Sequence, residues 1–98
     1  MRLKDKVAIV TGAAKGLGRE FAIGMAKEGA QIVAVTRKDL ANLEKTVNEI
    51  KAVGGGAKAL QADVSIEKDT LKMAGETVKI FGRIDILVNC AAIYDGLV

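Results

Sequence analysis

The sequence contains no histidine and only one cysteine, Cys90, among its 98 residues. Histidine is the commonest zinc ligand and the commonest general base, and a lone cysteine cannot form an intrachain disulfide. Long apolar segments are also missing, because the charged opening at residues 1–6 leads into only four apolar residues before Thr11. A membrane span needs about 20 such residues, and a secretory signal also needs a longer run. These absences predict a soluble cytoplasmic protein without a metal site.

The composition is that of an ordinary globular domain. Half of the residues are apolar, 28% are charged and the net charge is +3. A chain of this length forms one small domain at most. Lysine and arginine are mixed with acidic residues throughout, so no nucleic-acid surface is expected, although the excess positive charge suits an anionic ligand such as a phosphate-bearing cofactor.

Short apolar runs predict the strands. The runs at residues 7–10, 32–35 and 84–88 are continuous rather than alternating, with Asp85 the one interruption in the third. Continuous runs are typical of strands covered on both faces, as in a parallel sheet. Residues 57–62 are a weaker strand candidate.

Helical periodicity fills the intervals between these runs. The first helix is predicted from an apolar face made of Leu17, Phe21 and Met25, with Ala22 and Ala26 beside it, and ends near Gly29. Asp39 is placed to cap a second helix along Leu40, Leu43, Val47, Ile50 and Val53, which the glycines at 54–56 end. Ser65 is the expected cap, and Gly82 the end, of a third helix along Leu71, Ala74, Val78 and Phe81. The order β-α-β-α-β-α-β predicts an α/β fold with a doubly wound parallel sheet, in which the fourth strand lies beside the first.

A glycine-rich turn, Gly12-x-x-x-Gly16-x-Gly18, joins the first strand to the first helix. Glycines permit positive φ and close approach of the backbone, and a helix N-terminus offers N–H groups and partial positive charge to a phosphate. A P-loop would need Gly-Lys-Ser/Thr after four spacers, and no glycine here supplies it. The G-x-G-x-x-G pattern begun at Gly16 would need a glycine where Phe21 stands. The chain therefore has the wider spacing Gly-x-x-x-Gly-x-Gly instead of either of these two patterns.

This spacing resembles the cofactor motif of the classical branch of the short-chain dehydrogenase/reductase family. The opening at residues 3–10 is similar to the opening of that family, and so are Asp63-Val64 after the third strand and residues 82–89 leading into Cys90-Ala91-Ala92. The resemblance covers the whole chain but only the first half of a family member. It implies a Rossmann-type sheet of which the first four strands are present, with residues 1–98 as an NAD(P)-binding half-domain of a longer single-domain reductase.

The resemblance also implies the cofactor contacts. Glycines shape the phosphate turn, Leu17 lends a backbone N–H, Asp63 accepts from the adenine amino group and Val64 touches the ring edge. Where the family has Asn-Asn-Ala-Gly, this chain has Asn89-Cys90-Ala91-Ala92, so a side-chain role at position 90 is lost and backbone contacts remain. The implied contact residues are Gly12, Ala14, Lys15, Gly16, Leu17, Gly18, Thr36, Arg37, Asp63, Val64, Asn89, Cys90 and Ala91.

The end of the second strand favours NADP over NAD. An NAD site places a carboxylate there for the ribose 2′-hydroxyl, whereas an NADP site uses arginine. Val35 is followed by Thr36 and Arg37, and no carboxylate comes before Asp39, which is expected to cap a helix. Lys15 in the glycine turn is placed to reach the same 2′-phosphate, which a guanidinium can hold with two hydrogen bonds.

The catalytic residues of the family have no match here. The family uses a serine together with Tyr-x-x-x-Lys, and carbonyl reduction needs such a proton donor. The chain has one serine, Ser65, at an expected helix start, and one tyrosine, Tyr94, followed four positions later by Val98. We therefore expect an oxidoreductase of secondary alcohols and carbonyls when full length, acting on a small molecule and assembling as a homo-oligomer, and an inactive chain when residues 1–98 stand alone.

Other interpretations stay open. Lys15 and Arg37 could be surface charges, Asp63 could brace the turn before Ser65, Asn89 could bond neighbouring backbone, and Cys90 is expected to be a small core residue. The apolar helix stripes are expected to be core. The alternative functions are a non-catalytic NAD(P)-binding or sensor module and an NAD-dependent member of the same family. An ATP- or methyl-donor-binding domain leaves the glycine spacing and the paired basic residues unexplained.

Overall fold

The computed structural model describes residues 2–90, so the predicted contact residue Ala91 lies outside the described part. Within these residues, four strands alternate with three helices. They are β1 (Val7–Thr11), α1 (Gly16–Lys27), β2 (Gln31–Thr36), α2 (Leu40–Ala52), β3 (Ala57–Gln61), α3 (Glu67–Phe81) and β4 (Ile86–Asn89).

The strands form one parallel sheet in the order β3-β2-β1-β4. In the register, Thr11 at the end of β1 lies between Val35 of β2 and Asn89 of β4. The strand order reverses between β1 and β4, which is where doubly wound sheets open a crevice at their carboxyl edge. The predicted α/β fold, with the fourth strand beside the first, is confirmed.

Both faces of the central strands are covered, which explains why their apolar runs are continuous. Ala8 and Val10 of β1 pack into the larger core with buried residues of α1 and α2. Ile9, between them, points to the opposite face and shares the smaller core with Met73 of α3. Because successive side chains of a strand alternate between faces, every residue of β1 is buried.

The predicted contact face of α1 is confirmed only in part. Leu17 and Phe21 are 52% and 46% exposed. Ala22 and Ala26 are buried as predicted, together with Gly18, and Met25 packs against the larger core. Gly18 lies directly against the backbone of Gly12, which fixes the rotation of the helix about its axis. Residues four positions apart lie on one helix face, so Ala22 and Ala26 follow Gly18 toward the sheet.

The stripe predicted for α3 is also only partly core. Leu71 is 65% exposed and Val78 48% exposed, whereas Met73 and Thr77 are buried. Phe81 packs at the border of the smaller core. The helix therefore turns the Met73–Thr77 face to the sheet and leaves part of its apolar stripe uncovered in residues 2–90.

Four of the five helix ends predicted from the sequence agree with the structure and one differs. The helix α1 ends at Lys27, two residues before Gly29, and α2 ends at Ala52, just before the glycines at 54–56. Asp39 caps α2, accepting a hydrogen bond from the backbone N–H of Asn42, and Gly82 follows the last turn of α3. Ser65 does not cap α3, since the capping position is Ile66 and no side chain caps it. The Ser65 hydroxyl donates to Asp63 instead, and the acidic residues Glu67 and Asp69 occupy the first turn. No helix among the described residues is long and apolar enough to cross a bilayer.

Candidate functional site

The residues predicted to bind a cofactor gather at one edge of the sheet. The glycine turn follows β1, Arg37 follows β2, Asp63 lies two residues beyond β3, and Asn89 ends β4. In a parallel sheet these carboxyl ends face the same side, so side chains distant in sequence become neighbours.

Backbone conformation explains two of the three glycines in the turn. Gly12 and Gly16 have φ values of 65° and 62°, which side chains other than glycine rarely adopt. Gly18 is required for a different reason. A Cβ on Gly18 would lie 2.1 Å from the carbonyl oxygen of Gly12 and 2.7 Å from its carbon, so the first turn of α1 touches the backbone that leaves β1. The turn is therefore a tight loop that requires glycine at all three positions, two for their backbone conformation and one for lack of space.

The N-terminus of α1 is suited to an anion. Lys15 is the exposed N-cap, in an extended conformation, and its side chain makes no capping bond. The first turn of the helix carries no acidic side chain. The first N–H groups of a helix lack intrahelical acceptors and carry partial positive charge, so this end of α1 attracts phosphate.

The Ala13 peptide ties the glycine turn to two other elements. Its N–H donates to the carbonyl oxygen of Val35 in β2 at 3.1 Å. Its carbonyl oxygen accepts from Thr46 Oγ1 of α2 at 2.9 Å. Thr46 is not among the site residues predicted from the sequence. The signal available was a polar residue between Leu43, Val47 and Ile50 on the buried face of a helix, where a threonine needs a hydrogen-bond partner.

The first carboxylate after the end of β2, that of Asp39, is already engaged in hydrogen bonds. Asp39 accepts hydrogen bonds from the backbone N–H of Asn42 at 3.3 Å and from its side-chain amide at 2.8 Å. These two bonds, and the positive charges of Lys15 and Lys45, hold the pKa of Asp39 below its ordinary value. Lys15 of the glycine turn thus lies within electrostatic range of the residue that opens α2. The Asp39 backbone N–H donates to the hydroxyl of the buried Thr36 at 3.3 Å.

Asp63 braces the turn that follows β3. Its Oδ1 accepts from the backbone N–H of Ser65 at 3.0 Å and from the Ser65 hydroxyl at 2.6 Å. These bonds lower the pKa of Asp63, and the positive charges of Arg37 and Lys38 lower it further. The basic pair after β2 is thus brought near the carboxylate after β3. Val64 is half-buried and packs against the smaller core.

Asn89 is fixed by the strand beside it. The Thr11 hydroxyl, at the start of the glycine turn, donates to Asn89 Oδ1 at 2.8 Å. Cys90 follows and is buried, as expected for a small core residue, and this burial raises the pKa of its thiol. The ends of β1 and β4 are thereby joined at the crevice. Within residues 2–90, no group of three or more histidine, cysteine or acidic side chains is arranged to hold a metal ion.

Fold and turn together define a Rossmann-type α/β domain, with a glycine-rich turn where the first strand enters the first helix. The chain belongs to the short-chain dehydrogenase family, whose family model matches residues 6–97. The resemblance inferred from the sequence is confirmed.

Curated relatives with high similarity are oxidoreductases. An uncharacterized oxidoreductase of Methylorubrum extorquens is 42% identical over 94 residues, covering 96% of this chain and 38% of that protein. Versicolorin reductase 1 of Aspergillus parasiticus is 42% identical over 92 residues, covering 94% of this chain and 35% of that protein. The chain therefore spans little more than a third of the length of these relatives.

Solved structures agree on the fold. A hydroxysteroid dehydrogenase from Escherichia coli matches with a TM-score of 0.85 and 38% identity, covering 90% of this chain and 37% of that one. Glucose dehydrogenase of Caenorhabditis elegans matches with a TM-score of 0.83 and 35% identity, covering 91% and 38% respectively.

Proposed function

We propose that the chain is the NADP(H)-binding part of an oxidoreductase that interconverts a secondary alcohol and a carbonyl. The observation that carries the cofactor preference lies at the end of β2. Arg37 is exposed there, and the first carboxylate that follows β2 along the chain, Asp39, is held by Asn42 as a helix cap. An NAD site needs a carboxylate at this point for the ribose 2′-hydroxyl, and the capped Asp39 is committed elsewhere.

The described residues fit the parts of a dinucleotide in order. The pyrophosphate would lie on the glycine turn, Ala14 and the N–H groups of the first turn of α1, including that of Leu17. Lys15, Thr36 and Arg37 would surround the ribose 2′-phosphate. Asp63 and Val64 would meet the adenine, and the backbone at Asn89 and Cys90 would follow the nicotinamide half, with the predicted contact residue Ala91 outside the described residues. When bound, the cofactor would donate or accept the hydride.

Electrostatics supports the 2′-phosphate over the 2′-hydroxyl. Lys15 and Lys45 act on Asp39, and Arg37 and Lys38 act on Asp63, so four cations lie near this end of the sheet. A phosphate placed among them gains attraction, and an arginine can bind it with two parallel hydrogen bonds. The two acidic groups already carry internal hydrogen bonds, which limits their approach to the phosphate.

We further propose that residues 1–98 are the first part of a longer single-domain reductase. The α3 side of the sheet supports this. Leu87 of β4 is 60% exposed and Leu71 of α3 65% exposed, although apolar strands of parallel sheets are normally covered. The proton donor of the reaction would then come from residues beyond Val98, and the 98-residue chain alone would show no turnover. The cytoplasmic location and the oligomeric state stay predictions.

Arg37→Ala in the full-length protein tests the cofactor preference. We expect the Kd for NADPH to rise at least tenfold, the order of one or two lost charge-assisted hydrogen bonds, and the Kd for NADH to change by less than about twofold. Titration of the intrinsic fluorescence of each reduced cofactor measures both constants. Lys38→Ala is the matched control, because it removes a neighbouring exposed charge of the same sign.

Each of the following outcomes would contradict a different part of the proposal. Equal losses for NADPH and NADH in Arg37→Ala would show that Arg37 does not read the 2′-phosphate. A loss in Lys38→Ala as large as that in Arg37→Ala would attribute the preference to the general positive field. Tight NADPH binding by a full-length protein that turns over no alcohol or carbonyl would favour the non-catalytic module.

A further inference from the structure

We propose that Thr46 is a positioning residue for the cofactor site, although it lies on the buried face of α2 and is not among the residues proposed to contact the cofactor. Its hydroxyl holds the Ala13 carbonyl and thereby keeps the glycine turn in register with the segment that follows β2. The inference rests on the proposed function, since the two segments are the proposed seats of the pyrophosphate and of the 2′-phosphate.

The contact is unusual in reaching out of its own helix. Thr46 is fully buried, and its Oγ1 lies 2.9 Å from the Ala13 oxygen and 3.3 Å from the Asn42 oxygen one helical turn earlier. A buried threonine in a helix can satisfy its hydroxyl within the helix, as Thr77 does with the Met73 oxygen at 2.8 Å. Thr46 makes its shorter bond to the glycine turn, 33 residues away along the chain.

The bond completes a continuous path between the two proposed phosphate seats. Ala13 is anchored on its other side through its N–H to Val35, one residue before Thr36. Asn42, whose carbonyl shares the Thr46 hydroxyl, also holds both oxygens of Asp39. A cofactor that spans both seats needs them at a fixed separation, and a displacement of about 1 Å is enough to weaken a site that binds at two points.

Thr46→Val in the full-length protein tests the role, since valine keeps the shape and removes the hydroxyl. We expect the Kd for NADPH, which spans both seats, to rise roughly tenfold, the order of one buried hydrogen bond. The ligand 2′-AMP carries the 2′-phosphate and the adenine but lacks the pyrophosphate that would lie on the glycine turn, so its Kd should stay within about twofold. Without any ligand, amide hydrogen exchange of peptides covering residues 12–18 should accelerate in the variant.

Two controls separate positioning from general destabilisation. Thr77→Val also removes a fully buried threonine hydroxyl, but one that bonds inside α3, so its NADPH affinity and its exchange at residues 12–18 should match the wild type. Thr46→Ser retains the hydroxyl and should restore NADPH binding. If the valine variant does not fold, Thr46→Ser and Thr46→Ala give the same comparison, because they differ by the hydroxyl alone.

The outcomes are distinct from those of the proposed function. A wild-type protein that binds no NADPH overturns the proposed function and this inference with it. Wild-type affinity in Thr46→Val, or equal losses for NADPH and 2′-AMP, overturns the positioning role and leaves the proposed function standing. A loss of NADPH affinity in Thr77→Val as large as that in Thr46→Val also overturns the positioning role and leaves the proposed function standing.

Discussion

Gly18→Ala is the change to which the glycine turn should be most sensitive. The added Cβ would lie 2.1 Å from the Gly12 carbonyl oxygen and 2.7 Å from its carbon. Ordinary contact begins near 3.4 Å, so α1 and the end of β1 would have to separate by about 1.3 Å. Both sides of the contact are backbone, which no rotamer change relieves.

The expected cost follows from this geometry. Overpacking in a close-packed interior typically costs about 1–3 kcal/mol, and a clash with backbone belongs at the upper end, so we expect a loss of about 3 kcal/mol. The same movement displaces the first turn of α1, and NADPH affinity should fall with it. Urea unfolding followed by far-ultraviolet circular dichroism measures the free energy of unfolding in the full-length protein, and fluorescence titration measures the affinity.

Gly24→Ala is the matched control on the same helix. A Cβ there meets no atom within 4 Å, and the residue is exposed in the interior of α1. Alanine is favoured over glycine in a helix by about 0.5–1 kcal/mol, so this variant should be more stable than the wild type. The two glycine-to-alanine substitutions should therefore change the free energy of unfolding in opposite directions. A Gly18→Ala protein with wild-type stability and NADPH affinity would refute the close-contact reasoning.

Two further predictions concern carboxylates. Asp39→Asn keeps a good capping residue and removes a negative charge near Lys15. NADPH affinity should therefore rise roughly twofold to fivefold at low salt and less at high salt, which fluorescence titration in both conditions measures. An unchanged affinity at low salt would contradict this prediction. Asp85 accepts from Arg83 and from the backbone N–H of Val7 at 2.8 Å, which lowers its pKa from the ordinary value of 3.8. Its ionised form therefore stabilises the fold above that value, and the contribution is lost as the pH falls through the lower folded pKa. Unfolding free energies of the wild type and Asp85→Asn should differ at neutral pH and converge in acid, whereas a constant difference would oppose this account.

Sequence reasoning located every strand and helix to within a few residues. The signals for β1 and β2 are reliable because a doubly covered strand is apolar along its length, and the runs are too short for a buried helix. It failed on α1 and α3, where Phe21 and Leu71 are exposed. Periodicity identifies which residues share a helix face, but the rotation of that face relative to the sheet depends on contacts such as Gly18 against Gly12.

The candidate site also contains residues that the sequence could identify and contacts that it could not decide. The glycine turn, Arg37 and Asp63 could be identified because each follows a strand within two residues, and strand ends of a parallel sheet share one edge. The Asp63–Ser65 contact was one of two interpretations that the sequence left open, since an aspartate two residues before a serine can brace a turn or face a ligand. Ser65 was mistaken for a helix cap because the same residue type serves both purposes.

The sequence by itself determined the order of elements, the parallel sheet and the glycine spacing that places this chain in its family, because these depend on local conformational preference and on burial patterns within single segments. Only the tertiary structure decided which helix faces pack, that Thr46 holds Ala13, and that Thr11 meets Asn89 across 78 residues. Such contacts join elements distant in the chain, and their geometry is fixed only when both elements are packed on the same sheet.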